Sequence, residues 1–275
     1  MQARLKIGIM GVGMVGSAVK KYFEKEGYRP FLYDPGKNLG TLEEVNKAEV
    51  VFVCVPTPFD KAKGFDFSFV EKAVSSIKGE KIVVIKSTVV PGTTQALQSK
   101  HLSHKFLFNP EFLVEAYPDE GMQRPGRQIL GITKESREIA QEIMEILPRA
   151  PYQRVMPSNE AEMVKYFGNT FLAMKVIFGV QLYKLCQKIG VDYELVREAA
   201  SADKRIGPSH LDVRHGGYLG YGGKCLPKDM RAFIAFAKSQ GLDLELHKKV
   251  EEINNKLMQE QGVDDPEKYS IRNPF

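Results

Sequence analysis

The sequence predicts an α/β protein: a doubly wound parallel sheet followed by an all-helical part built on one long helix. Three observations carry this. Short β-branched runs alternate with amphipathic segments as far as residue 157, strand signals then stop, and an unbroken helical pattern runs from Asn159 to Gly190. The strand runs are LKIGIM (5–10), RPFLYD (29–34), EVVFVCV (49–55), KIVVIKS (81–87), KFLFN (105–109) and RQILGI (127–132). Helical segments lie between them, at 14–26, 69–77 and 134–147. This alternation implies a parallel sheet covered by helices on both faces.

Asn159 with Glu162 three residues on reads as a capping box, and Gly190 as the residue that ends the helix. A helix of that length is about 45 Å long, more than one domain needs for itself. Its apolar positions Met163, Phe167, Met174, Ile177, Phe178, Leu182, Leu185 and Ile189 persist to its end, and Phe171 widens the stripe. It is expected to be the spine of a second domain and a dimer surface. Shorter helices follow at 193–202, 228–239 and 245–260, giving two domains, 1–157 and 158–275.

Composition sets the outer limits. A chain of 275 residues, 43% hydrophobic and 27% charged, without low-complexity runs, is globular and long enough for two cores. The first residues lack the features of a secretory signal and no apolar run reaches membrane-span length, so a cytoplasmic protein without membrane association is expected. The net charge of +5 is spread among acids and comes with no nucleic-acid motif. Cys54, Cys186 and Cys225 are widely spaced, which suggests neither a disulfide framework nor a metal site.

GIMGVGMVG places Gly11, Gly13 and Gly16 in GxGxxG spacing between the first strand and the first helix. The first glycine permits the turn, the second admits a pyrophosphate, and the third lets helix and strand pack. The second strand run ends in Asp34, positioned to accept hydrogen bonds from an adenosine ribose and to repel a 2′-phosphate. The first domain is therefore expected to be Rossmann-type, with NAD favoured over NADP.

Five further stretches carry candidate chemistry. VCVPTPF ends a buried strand at the ligand edge of the sheet, with Cys54 itself expected to face the core. KSTVVPGTT offers Thr88 to a water or a cofactor, while Thr93 or Thr94 suits the cap of the next helix. FNPEFLVEA holds Glu111 and Glu115 four apart, where one helical turn would pair their charges and raise one pKa towards that of a general base. EMVKYFGNT sets Lys165 and Asn169 on one helix face, suited to an alkoxide or a carbonyl oxygen. In GYGGKCLPKD, Pro227 and Asp229 suit a first helical turn, so Cys225 stands before a helix N-terminus between Lys224 and Lys228, where a thiol ionises more readily. Gly222 and Gly223 give clearance around the sulfur.

These residues, with STVVPGTT, VKYFGNTFLAMKV and ADKRIG in the same order, closely resemble the UDP-glucose/GDP-mannose dehydrogenase family, in its UDP-glucose 6-dehydrogenase branch, over essentially the whole chain to about residue 260. The resemblance implies an NAD-binding domain and a helical dimerisation domain that together oxidise the C6 alcohol of a nucleotide sugar to a carboxylate, using two NAD. It implies that Cys225 forms a thiohemiacetal and then a thioester, that Lys165 and Asn169 stabilise oxyanions, and that Asp229 positions a water and the lysine. Glu111 becomes the acid/base of hydrolysis, with Thr88 orienting water and Glu115 near the nicotinamide. Cofactor contacts fall on Gly11, Val12, Gly13, Met14, Val15, Gly16, Asp34, Val55, Pro56, Thr57, Ser87 and Thr88. Substrate contacts fall on Glu111, Phe112, Leu113, Lys165, Asn169, Tyr221, Gly222 and Gly223, with Arg205 reaching the neighbouring subunit's substrate.

The family pattern continues into a third, nucleotide-enclosing domain, whereas this sequence ends at Phe275: it is either a natural minimal form, in which weak enclosure of the uridine half is expected, or a fragment. The same chemistry on GDP-mannose or a UDP-N-acetylhexosamine, a two-domain β-hydroxyacid dehydrogenase, and an NAD-binding subunit without turnover are the alternatives.

Overall fold

The structure, a computed structural model, describes residues 4–60, 64–214 and 217–263. The chain divides between Lys165 and Tyr166 into two compact units.

The first unit is organised by a seven-stranded sheet of order β2-β1-β3-β6-β7-β8-β9. Its strands are β1 (Ile7–Met10), β2 (Phe31–Tyr33), β3 (Val50–Val53), β6 (Ile82–Ile85), β7 (Lys105–Phe108), β8 (Arg127–Ile132) and β9 (Tyr152–Pro157). A short hairpin of β4 (Phe59–Asp60) and β5 (Gly64–Phe65) stands apart from it. The helices are α1 (Met14–Lys25), α2 (Leu42–Val45), α3 (Ser68–Ser75), α4 (Thr93–Lys100), α5 (Pro118–Gln123) and α6 (Ala140–Ile146).

The α/β fold is as expected, with one difference in the sheet. β8 runs antiparallel to β7, pairing Leu107 with Ile132 and Phe108 with Gly131. The N-terminal end of β8 therefore meets the same sheet edge as the carboxyl ends of the central strands, the edge where ligands bind in open α/β sheets. β9, unread in the sequence, lies parallel to β8 at the sheet margin, and its mostly exposed residues lack the apolar run of the central strands.

Alternation along the central strands builds two cores. Val50 and Phe52 join one cluster with Ile7, Ile9 and Phe23, while Val51 and Val53 join another with Met10, Ile85, Phe106 and Phe108. Successive side chains point to opposite faces, and both faces are covered. Each fully buried side chain of this size contributes about 2–3 kcal/mol.

The GxGxxG turn is held sterically. Gly11 has φ +83°, and a Cβ there would lie 2.7 Å from the Cys54 carbonyl oxygen. A Cβ on Gly16 would lie 1.9 Å from the Gly11 carbonyl oxygen, whereas one on Gly13 would meet nothing within 4 Å.

The second unit is helical: most of α7 (Ser158–Ile189), then α8 (Tyr193–Ser201), α9 (Leu226–Ser239) and α10 (Glu245–Glu260). Its core joins Ala173, Ile177 and Val180 of α7 to Tyr193, Leu226, Met230, Val250 and Leu257. Gly190, at φ +74°, follows the last turn of α7 as expected. Among the described residues no helix is long and apolar enough to cross a membrane.

Two capping expectations are corrected. α7 begins at Ser158, and Glu162 does not cap its own helix: Glu162 accepts the Gly92 N–H at 2.6 Å, the Thr94 N–H at 2.8 Å and the Thr94 hydroxyl at 2.6 Å. The α4 N-terminus is thus capped by a carboxylate distant in sequence, and Thr93 spends its hydroxyl on the Val90 carbonyl. Burial pushes the Glu162 carboxyl up to about 7, against the pull of its three donors.

Gly16→Ala is expected to lower unfolding free energy by about 1–3 kcal/mol, because the methyl group meets backbone; Gly13→Ala should leave it unchanged, and thermal denaturation of both variants checks the contrast. Glu162 has a raised folded-state pKa, so its contribution is complete below the unfolded value near 4.5 and is lost as pH rises through about 7. Denaturant titrations should therefore show the wild-type advantage over Glu162→Gln shrinking between pH 5 and 8.

Candidate functional site

At the first loop, Asp34 Oδ2 accepts the Val12 N–H at 2.7 Å, while the Val12 carbonyl accepts from Lys37 Nζ at 2.5 Å and from Ser17 Oγ at 3.1 Å. The carboxylate at the end of β2 thus braces the glycine turn through one of its oxygens. Gly13 is the N-cap of α1 and supplies no side chain, so the first amides of Met14, Val15 and Gly16 face an anion without competition. The open space at Gly13 admits a pyrophosphate. The residues present therefore fit a dinucleotide.

On the adjoining strand ends, Ser87 Oγ donates to the Val55 carbonyl at 2.7 Å, tying the loop after β3 to the end of β6. Thr57 is buried, Val55 and Thr88 are half-buried, and Pro56 is exposed. Cys54 packs in the core, as expected, and burial pushes its thiol up to about 12, which leaves it inert.

The loop after β7 is where expectation and structure part. Residues 111–114 are irregular rather than helical, so Glu111 and Glu115 do not share a helical turn. Glu111 is instead paired with a lysine. Lys165 Nζ donates to Glu111 Oε1 at 2.7 Å and to the Glu111 carbonyl at 2.8 Å, and both side chains are almost fully buried. Burial alone would raise the carboxyl, but the charge and hydrogen bond of Lys165, the Leu113 N–H at 2.8 Å and the charge of Lys86 hold it below its usual range. The expected raised carboxylate is therefore a depressed one. The Leu113 amide is committed to Glu111, and the Phe112 ring lies 3.9 Å beneath the Arg127 guanidinium. Glu115 is half-buried nearby in sequence.

Two residues of this cluster escaped sequence reading. Lys86, 3% exposed, donates to Asn109 Oδ1 at 2.7 Å, and Asn109 Nδ2 donates to Gln128 Oε1 and to the Ile129 carbonyl, both at 2.7 Å. Burial lowers the Lys86 ammonium to about 8, despite the opposing influence of Cys54 and Glu111. The available signal was a lysine directly ending the buried run IVVI.

In the second unit, Cys225 is the N-cap of α9 and half-buried, with its carbonyl accepting the Asp229 N–H at 2.9 Å. Asp229, 1% exposed, accepts from Asn169 Nδ2 and from Lys228 Nζ, both at 2.5 Å. The resemblance implied that Asp229 positions a water and the lysine; its direct hydrogen bond to Asn169, one turn after the cysteine, was not foreseen. Gly222 and Gly223 are buried, and Tyr221, 2% exposed, packs in the helical core with no hydrogen-bond partner for its hydroxyl among the described residues. Arg205, 89% exposed, is paired at 2.5 Å with Asp203. Among the described residues no cluster of His, Cys, Asp or Glu could hold a metal ion.

Comparison with known proteins matches residues 37–148 to the NAD binding domain, and residues 159–256 to the central domain, of the UDP-glucose/GDP-mannose dehydrogenase family. A UDP-glucose 6-dehydrogenase of Pseudomonas aeruginosa is 36% identical over 228 residues, covering 77% of this chain and 49% of that protein. The Bacillus subtilis UDP-glucose 6-dehydrogenase TuaD is 32% identical over 225 residues, covering 77% of this chain and 47% of that protein. The structure of a UDP-glucose dehydrogenase from Pyrobaculum islandicum superposes with a TM-score of 0.82 at 29% identity, covering 94% of this chain and 72% of that one. The chain spans about half the length of the curated relatives it matches. With two successive domains matched in order over most of its length, the chain belongs to the UDP-glucose/GDP-mannose dehydrogenase family, whose cofactor is NAD.

Proposed function

We propose that this protein acts in the NAD-dependent, four-electron oxidation of the C6 alcohol of UDP-glucose to the carboxylate of UDP-glucuronate. Residues 1–157 bind the cofactor, and 158–275 supply the nucleophile and the dimer contact. The observation that carries the reading is Cys225 at the N-terminus of α9, one turn before buried Asp229 and its bond to Asn169. An inert structural thiol needs no such setting. The relatives named UDP-glucose 6-dehydrogenase support the substrate.

NAD, when bound, accepts one hydride in each oxidation. The first oxidation removes a hydride from C6 and releases the hydroxyl proton to solvent water, leaving an aldehyde. The Cys225 thiolate adds to that carbonyl carbon, and the oxygen takes up negative charge as the C–S bond forms. Lys165 and Asn169 stabilise this oxyanion, and Asp229 holds the Asn169 amide with its donors set. Loss of the second hydride gives a thioester. Water, oriented by Thr88 and deprotonated by Glu111, then attacks the acyl carbon, and the C–S bond breaks to return the Cys225 thiolate. The depressed Glu111 favours an ionised base at neutral pH.

A second copy of the chain is the proposed cover for the apolar face of α7, where Phe167, Phe171, Phe178, Leu185 and Ile189 are all exposed. Arg205, exposed on the same unit, is the residue proposed to reach the neighbouring substrate.

Absorbance at the NADH band with UDP-glucose, GDP-mannose and UDP-N-acetylhexosamines is expected to give two NADH per UDP-glucose and no carboxylate product from Cys225→Ser. One NADH per sugar, or full turnover by Cys225→Ser, would overturn the thioester route. Lys165→Met should lower turnover about 10²–10³-fold and lower stability by about 3–5 kcal/mol, because Glu111 is left buried and unpaired. Adding Glu111→Gln should restore stability without restoring turnover, as read by denaturation alongside the NADH assay.

A further inference from the structure

The segment leading to Cys225 is rich in glycine, with Gly217, Gly220, Gly222 and Gly223 among its residues and positive φ at Gly217 (+79°), Gly220 (+117°) and Gly223 (+77°). Such a chain loses the most backbone entropy on ordering, and among the described residues no strand pairs with it. Its order comes from α10. Asn254 Oδ1 accepts the Tyr221 N–H at 2.8 Å, and Asn254 Nδ2 donates to the Tyr221 carbonyl at 3.0 Å. Two turns further along, at the C-cap of the same helix, Gln261 Oε1 accepts the Leu219 N–H at 2.7 Å and Gln261 Nε2 donates to the Leu219 carbonyl at 2.9 Å.

Leu219 and Tyr221 are alternate residues, each presenting both backbone groups to one side as a strand does. Two side-chain amides replace the missing strand. A side-chain amide carries the acceptor and the donor this needs on two separate atoms. The intervening Gly220 is required for the approach, since a Cβ there would lie 2.6 Å from Asn254 Oδ1. Asn254 is 1% exposed, and α10 is itself fixed to α9 by the Arg231–Glu251 pair at 2.8 Å and by the packing of Val250 and Leu257 with Leu226 and Met230.

We propose that Asn254, seconded by Gln261, is a positioning residue that fixes the approach to Cys225, so that α10 sets where the nucleophile stands at the start of α9. The inference rests on Cys225 being the nucleophile of the proposed reaction. On its C-terminal side the cysteine is held by Leu226, buried in the helical core. On its N-terminal side Lys224, Gly223 and Gly222 separate it from the clamped Tyr221, so release of Tyr221 loosens the chain on that side.

Hydrogen exchange and iodoacetamide alkylation, both resolved by peptide mass spectrometry on the cofactor-free chain, test this without requiring turnover. In Asn254→Ala, amide exchange across 219–225 should quicken about tenfold, the factor for one net hydrogen bond. Alkylation of Cys225 at pH 7 should slow by a similar factor, with its pH profile displaced upward as the sulfur leaves the helix terminus. Asn254→Asp retains the acceptor for the Tyr221 N–H and should recover part of both effects. Gln261→Ala, at an exposed position, should give the smaller change of the same sign, and it keeps the test open should Asn254→Ala not fold. Unaltered exchange and an unaltered alkylation profile in a folded variant would overturn the positioning role. A wild-type Cys225 that alkylates no faster than an unstructured thiol would instead overturn the nucleophile reading, while the exchange measurement still decides the clamp.

Discussion

The buried pair of Glu111 and Lys165 is the interaction on which the candidate chemistry of the first unit depends. It joins the irregular loop after β7 to the second turn of α7, residues 54 apart in sequence, with both charges removed from water. Removing two ions from water costs several kcal/mol each, so such a pair is a poor device for stability alone. What it provides is orientation. The Glu111 carboxylate receives Lys165 on one oxygen and the Leu113 amide on the other, and has no freedom left to turn. Lys86 lies close enough to influence the same carboxylate, giving two cations to one anion in a buried place. An excess of positive charge held away from water is the condition under which a developing oxyanion is stabilised most strongly.

This cluster also shows where sequence stops being informative. The glycine turn, the strand alternation, the long helix and the GYGGKCLPKD stretch are local patterns, in which each residue's role follows from neighbours a few positions away. They were legible, and the structure has the corresponding elements. The partner of Glu111 was not. Four-residue spacing to Glu115 suggested a helical face, but the segment is irregular and the true partner is Lys165, chosen by tertiary packing. The same holds for Glu162, whose spacing from Asn159 imitated a capping box while its carboxylate caps α4 instead. Asn109 and Asn254 left no local pattern at all, because a buried amide is recognised only by the backbone groups it satisfies. The reversed direction of β8 was likewise invisible, since an apolar run carries no record of which way its neighbour points.

Lys165 and Asn169 occupy successive turns of α7, yet their bonds belong to different compact units: Lys165 to Glu111, Asn169 to Asp229. Each side chain is therefore preorganised by its own surroundings. In both cases a carboxylate holds a donor group in place. A donor fixed before the substrate arrives costs no reorganisation when charge develops.

The two glycine loops are held by different means, and the difference follows from what each must do. The first is locked chiefly by sterics between main-chain atoms, Gly11 against the Cys54 carbonyl and Gly16 against Gly11, with the Asp34 carboxylate as a brace. A cradle for a bound pyrophosphate has one geometry to keep, and close-packed backbone keeps it. The second is held by the side chains of Asn254 and Gln261, which have rotatable bonds between the hydrogen bond and the helix. In the proposed reaction Cys225 must bond to a carbon that passes from trigonal aldehyde to tetrahedral adduct and back to trigonal acyl. An attachment with slight give accommodates those changes in bond direction, where a steric lock would resist one of them. On the proposed reading the amide clamp orders the nucleophile while leaving small rotations open, and the positive-φ glycine at 220 is what lets the amide reach the backbone at all.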